Sequence, residues 1–302
     1  MFTYRPFYLS MLTAILVIIA CTPQVAPTPI ASLAASTPTM EAVPTTPAPP
    51  VPTSSTNQTP DQKFEVNGHA LYLKCLGMGS PTIVLEPGEG GTVMELAGIQ
   101  TRLAERTTTC AYDRANNGQS DQVPTPRHAK DVVEDLHALL AAADVPAPYL
   151  LVGQSAGGML VQLYARTYPD QVIGVVAINP VPPAQAWLPE VSKVFTEEEL
   201  AGEEAYYRGE NGESLDYLTS SEQLAAAAEP PDVPFEMLLS TSVQCEGDEI
   251  CLKTYAIYEE IMEEVTAAWP LGNNTKVEAL HNLLIDHPEA VVIALDHVIA
   301  LP

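Results

Sequence analysis

Apolar runs of four to seven residues recur along the chain, separated by polar, glycine-rich or amphipathic stretches. Phe64-Glu65-Val66, the pair Asn67-Gly68 and residues 70–75 predict a β-hairpin, because Asn-Gly is the strongest two-residue hairpin signal. Residues 82–85 predict a short buried strand. It runs into the glycine-rich stretch Glu86-Pro87-Gly88-Glu89-Gly90-Gly91. Residues 92–106 predict a helix, 107–112 a strand, and 113–120 a polar loop. Over 127–143, Val132, Leu136, Leu139, Leu140 and Ala143 share one face at helical spacing. A strand from Tyr149, a helix over 159–166 and a strand over 171–179 follow. Alternating strands and helices predict a mostly parallel sheet covered on both faces, with the hairpin as an antiparallel edge.

Residues 181–232 break the alternation. They begin Val181-Pro182-Pro183, contain short helical patches, and carry twelve acidic residues against Lys193 and Arg208. This stretch predicts a small helical cap over the C-terminal edge of the sheet. The alternation resumes with a strand over 233–241, a helix over 250–269 and a strand over 275–280. A last helix starts near Pro288, where proline suits the first turn.

With 302 residues, the chain has room for one large α/β domain or two small ones. Its formal charge of −25 argues against nucleic acid, against an electrostatic grip on anionic membranes, and against polyanionic substrates. The N-terminus reads as a targeting segment: Arg5, then an apolar run over 9–20 that is short for a membrane span. It ends Ile18-Ile19-Ala20-Cys21, which resembles the bacterial lipobox. Residues 1–21 are therefore expected to be a lipoprotein signal peptide, with Cys21 lipidated in the mature protein. Residues 22–60 hold ten prolines, nine threonines and one charged residue, Glu41. Such a composition cannot bury a core and predicts an extended, disordered tether. The folded domain is expected over 61–302, outside the cytoplasm and held to the membrane by its lipid.

Cys75, Cys110, Cys245 and Cys251 remain, an even number that suggests two disulfides in such a compartment. Cys245–Cys251 would close a short loop. No cysteine spacing matches a zinc site, and nothing implies a metal or an organic cofactor. Oligomeric state is not legible in the chain.

The chemistry centres on Gly153-Gln154-Ser155-Ala156-Gly157. A buried strand precedes it and a helix follows. That context turns a weak five-residue pattern into a strong signal for a strained turn with an exposed serine at its apex. Glycine is expected at 153 and 157 because a side chain there would collide with the neighbouring strand and helix.

Taken with Leu85–Gly90, Tyr112-Asp113-Arg114-Ala115 followed by Gly118 and Ser120, and the tail His281–Glu289, this motif resembles the α/β-hydrolase-fold serine hydrolases over about residues 64–301. The resemblance implies that fold, with helices on both faces of the sheet and a small helical cap. In it, Cys75 and Cys110 lie on neighbouring strands and can pair. It implies Ser155 as nucleophile and a triad in the order serine, acid, histidine. Of the six histidines, His281 follows the last predicted strand and is the expected base. His287 and His297 read as surface residues. The acid is expected at Asp248, with Glu246 second; Asn179 stands at an earlier position where relatives can carry aspartate. Backbone N–H groups of Ala156 and Glu89 are the implied oxyanion donors. The family commonly has histidine at the positions of Pro87 and Gln154. The activity implied is hydrolysis of a small-molecule carboxylic ester. The alternatives are an aminopeptidase or amidase on the same scaffold, and a catalytically weak cell-surface binding module.

Overall fold

The computed structural model describes residues 59–241 and 245–300. The expected signal peptide, its Cys21 and the tether as far as Gln58 lie outside the described residues. In chain order the elements are β1 (Asp61–Val66), β2 (His69–Leu76), β3 (Thr82–Glu86), α1 (Val93–Ala104), β4 (Thr109–Tyr112), α2 (Ala129–Ala142), β5 (Tyr149–Gln154), α3 (Ala156–Thr167) and β6 (Val172–Ile178). Then come α4 (Ala184–Val191), α5 (Glu197–Tyr207), α6 (Tyr217–Ala226), β7 (Pro234–Ser240), α7 (Glu249–Ala267), β8 (Leu271–Val277), α8 (Leu283–Asp286) and α9 (Pro288–Ala300).

The eight strands form one sheet in the order β1-β2-β4-β3-β5-β6-β7-β8. β1 and β2 pair antiparallel, as do β2 and β4; the remaining pairings are parallel. The two-residue alternation of side chains splits each central strand between two cores. Leu151, Val175, Ala177, Met237 and Leu239 face the core that includes α2, α3 and the cap. Leu150, Val152, Val176, Ile178 and Leu238 face the one closed by α1, α8 and α9. Both faces being dry, the central strands read as continuous apolar runs. Cys75 and Cys110 sit directly opposite each other on β2 and β4 and are disulfide-bonded; Cys245 and Cys251 are bonded as well.

Helices α4, α5 and α6 fill the segment between β6 and β7. This cap is tied down by specific bonds. Arg127 N donates to Ser214 O, Asp216 N donates to Arg127 O, and Ser220 Oγ accepts from Ala129 N at 2.8 Å. The last of these caps the start of α2 from outside.

One element departs from the sequence expectation. The last strand covers Leu271–Val277 rather than 275–280. It lies at the sheet edge and is mostly polar, so hydrophobic patterning is a poor guide to its limits. Its register is fixed by β7, from Pro234↔Leu271 to Ser240↔Val277. Asn273 and Thr275 bond the carboxylate of Glu236, which is buried in β7.

Candidate active site

Ser155 lies between β5 and α3 with φ 54° and ψ −117°, in the left-handed region that a non-glycine residue rarely adopts. Two glycines make this turn possible. A Cβ on Gly153 would lie 2.2 Å from Gly157 O, and one on Gly157 would lie 2.3 Å from Glu86 O. Ser155 N donates to Ile178 O at 2.8 Å, which pins the turn to the end of β6. The serine follows a fully buried strand and is itself only partly buried. Ala156 opens α3, so its N–H has no acceptor within the helix.

The loop after β3 lies against this turn: a Cβ on Gly88 would be 3.6 Å from Ser155 Cβ. What holds the loop is Arg114, 1% exposed. Its Nη1 donates to Pro87 O at 2.7 Å and its Nη2 donates to Gly88 O. In a trans peptide the C=O and N–H point in opposite directions. A grip on Gly88 O therefore turns the Glu89 N–H away from Arg114. The guanidinium also donates to Glu213 at 2.6 and 2.7 Å and to Glu86 at 2.7 Å, and Tyr112 OH donates to Glu86 at 2.7 Å. Burial pushes the Glu213 carboxyl up, but Arg114 more than reverses this and holds it below the ordinary glutamate range. For Glu86 burial wins over Arg114 and Tyr112, and its pKa is raised. Glu213 belongs to the cap, and it also accepts from Gly90 N at 3.0 Å.

Glu89 sends its carboxylate into the cap, away from the serine turn. Tyr206 OH, Tyr217 OH and Gly212 N donate to it at 2.8, 3.1 and 2.9 Å. An anion beside an expected oxyanion site is thereby occupied elsewhere.

His281 lies on the loop between β8 and α8, four residues past the end of β8. The loop is tied at two points. Asn179 Nδ2 donates to His281 O at 2.8 Å, and Gln154 Oε1 accepts from Leu284 N at 3.2 Å. Gln154 immediately precedes the serine, so the histidine loop is bonded to the serine turn itself. Part of His281 is open to solvent, yet the protein around its ring desolvates it and lowers its pKa. No hydrogen bond joins the His281 ring to Ser155 Oγ; without substrate such contacts are often long.

The other five histidines are committed elsewhere. His69 bonds Asp135 at 2.9 Å, His128 bonds Asp131 at 3.2 Å, and His137 stacks on Tyr168 with ring centroids 3.9 Å apart. His287 bonds Glu289 at 3.3 Å, and His297 lies 3.8 Å from Glu236.

The three candidate acid positions have distinct settings. Asp248 is the N-cap of α7, and its Oδ1 accepts from Cys251 N at 2.7 Å. Glu246 is exposed in the same disulfide-closed loop, with φ 46°. Asn179, φ 40°, holds the His281 loop through a backbone carbonyl and accepts from Ser240 N at 2.8 Å. Two contributors have no role legible in the sequence: Arg114 stands there only as part of a loop motif, and Glu213 only among the twelve acidic residues of 181–232. Among the described residues, no group of three or more His, Cys, Asp or Glu side chains could hold a metal ion.

A family profile for the alpha/beta hydrolase fold matches residues 81–209, the stretch from β3 through α5 that holds the Ser155 turn. The chain has the α/β-hydrolase fold. Similar proteins bear this out. The uncharacterised Bacillus subtilis protein YqjL is 35% identical over 121 residues, covering 40% of this chain and 48% of YqjL. The pimeloyl-[acyl-carrier protein] methyl ester esterase of Chromobacterium violaceum is 34% identical over 112 residues, 36% of this chain and 41% of that protein. The chain thus spans less than half the length of these curated relatives. Among solved structures, the enol-lactonase from Burkholderia xenovorans LB400 superposes with a TM-score of 0.56 at 17% identity, over 79% of this chain and 100% of its own.

Proposed function

We propose that this α/β hydrolase is a serine hydrolase of carboxylic esters. The observation that carries the reading is the backbone of Ser155 at φ 54°, ψ −117°, a strained conformation retained at the mouth of the sheet. In the reaction, Ser155 Oγ attacks the ester carbonyl carbon while His281 takes its proton. The N–H groups of Ala156 and Glu89 stabilise the tetrahedral oxyanion. His281 then protonates the departing alkoxide, leaving an acyl-Ser155. Water attacks the acyl group, His281 again accepts the proton and returns it to Ser155, and the carboxylic acid leaves. Asp248, with Glu246 second, remains the proposed source of negative charge for the imidazolium, and Asn179 positions the histidine loop. The esterase activity named for the Chromobacterium relative supports an ester substrate.

We further propose that the domain works outside the cytoplasm, tethered to the bacterial membrane through lipidated Cys21. The two disulfides support an oxidising compartment.

A fluorophosphonate probe tests the mechanism. The wild-type protein should be labelled, and Ser155→Ala should not. A folded wild-type protein that takes no label would overturn the reading. Turnover of p-nitrophenyl acyl esters but not of aminoacyl naphthylamides separates esterase from aminopeptidase.

A further inference from the structure

The stretch Gly88-Glu89-Gly90-Gly91 closes on itself. Gly91 N donates to Gly88 O at 3.1 Å, and Gly90 has φ 67°. A positive φ at the third residue of a four-residue turn belongs to the type II form, which differs from type I by a half-turn of the central peptide. Glycine at that place meets no steric bar to either form. A Cβ on Gly90 would have nothing within 4 Å, so no packed neighbour blocks a flip either. Within the loop, the facing of the Glu89–Gly90 peptide is undetermined.

The cap supplies what the loop lacks. Glu213 stands between α5 and α6 and is 8% exposed. Its Oε2 accepts from Gly90 N at 3.0 Å and from Arg114 Nη2 at 2.7 Å, and its Oε1 accepts from Arg114 Nε at 2.6 Å. Arg114 in turn donates to Pro87 O and Gly88 O. One peptide plane beside Glu89 is thus held by its carbonyl, the other by its N–H. A residue has only two soft dihedrals, φ and ψ, and they relate these two planes. Holding both planes fixes Glu89, and with it the direction of its N–H. The Glu89 carboxylate bonds Tyr206, Tyr217 and Gly212, which anchors the side chain but neither plane.

We propose that Glu213 is a positioning residue for the oxyanion site: a cap carboxylate that, through Gly90 N and Arg114, keeps the Glu89 N–H aimed at the reacting centre. It rests on the serine-hydrolase reading and adds the cap to that machinery. Glu213 need touch no substrate atom.

Steady-state turnover of p-nitrophenyl acetate by the whole protein tests it. Glu213→Leu removes the acceptor for Gly90 N and for Arg114; Glu213→Gln can still turn its amide oxygen to Gly90 N. In Glu213→Leu, kcat should fall about tenfold, short of the roughly hundredfold or more that follows outright loss of an oxyanion donor, with KM changed less than about threefold. Inhibition by a trifluoromethyl ketone should weaken by the same factor as kcat/KM. Glu213→Gln should keep kcat within about threefold of wild type, since the loop bond survives. Ser220→Ala loosens the cap elsewhere, at its bond to Ala129 N. It should lower the unfolding midpoint and leave kcat within about twofold. Hydrogen exchange adds a readout on the wild type that needs no variant to fold: the Gly90 N–H should exchange at least about tenfold more slowly than in an unstructured peptide. Wild-type kcat in folded Glu213→Leu, a loss carried by KM alone, an equal kcat loss in Ser220→Ala, or an unprotected Gly90 N–H would each overturn the proposal while a fluorophosphonate still labels Ser155. A wild type that takes no such label would overturn the hydrolase reading and this proposal together.

Discussion

Asn179 donates its side-chain N–H to the backbone carbonyl of His281 across 2.8 Å. Its oxygen accepts from Ser240 N, and its own N–H donates to Leu238 O. One neutral side chain thus joins the ends of β6 and β7 to the histidine loop. A carboxylate could keep the Ser240 bond, but it has no proton for the His281 carbonyl. Asparagine here is matched to what it touches.

Asn179→Asp should therefore be harmful, even though it supplies the anion the histidine would use. It sets carboxylate oxygen against carbonyl oxygen at a site that is 2% exposed. The expected cost is about 1–3 kcal/mol of stability, read by urea unfolding. Ester turnover should fall more through kcat than through KM, because the base is displaced while the substrate surface is untouched. A variant as stable as wild type with higher kcat would show that position 179 has room for a triad acid.

The second prediction concerns pH. Burial lowers the His281 pKa from its ordinary value of about 6.5. A general base works when neutral, so the acidic limb of kcat/KM should fall below pH 6.5. The sign for stability is the same. Between the folded and unfolded pKa values the unfolded chain binds more protons, so stability is lost as pH falls from about 6.5 through the folded value. Direct titration of the His281 ring by NMR checks both. An apparent pKa above 6.5 would mean that the charge of the proposed acid, Asp248 or Glu246, outweighs the desolvation of the ring.

How much of this could be read in advance follows from the range of the interactions. The serine turn was legible because it is local: Gly153, Ser155 and Gly157 lie within five residues, and each has its own steric reason. The sheet was legible where both faces are dry, since β3, β5 and β6 are short apolar runs. β8 was misplaced because an edge strand borrows its register from β7 and uses polar residues such as Asn273 and Thr275 to satisfy Glu236. Arg114 and Glu213 are 99 residues apart, and no spacing rule joins them. The acid stays open because no local spacing in the chain marks which carboxylate would serve His281.

Glu89 separates backbone from side-chain roles. Its carboxylate holds Tyr206, Tyr217 and Gly212 of the cap, whereas its proposed chemistry uses the backbone N–H. Glu89→Ala keeps that N–H and should change kcat on a small activated ester by less than about threefold. Hydrogen bonds to a charged group contribute roughly 1.5–3 kcal/mol each, and some are remade to water. The variant should lose about 2–4 kcal/mol of stability, and KM should rise as the cap loosens. A large loss of kcat with an unchanged unfolding midpoint would place the carboxylate in the chemistry.

Arg114 is the most consequential side chain outside the proposed chemistry. Breaking a buried ion pair by removing one partner costs about 3–5 kcal/mol, since the charge left behind is uncompensated. Arg114→Met leaves Glu86 and Glu213 facing each other with no cation between them, and it frees the carbonyls of Pro87 and Gly88. In the wild type the two carboxyls pull against each other, Glu213 with a lowered pKa and Glu86 with a raised one. Without the guanidinium both are raised by burial. The unfolded chain then binds fewer protons than the folded one over the affected range, so stability must fall as pH rises and recover in acid. Urea unfolding at pH 5 and pH 8 should show Arg114→Met to be more stable at pH 5, with a smaller deficit against wild type there. Glu213→Gln, which keeps Arg114 paired with Glu86, should show the milder loss and no such reversal. If Arg114→Met were instead most stable at pH 8, Glu86 and Glu213 would not be the groups that Arg114 neutralises.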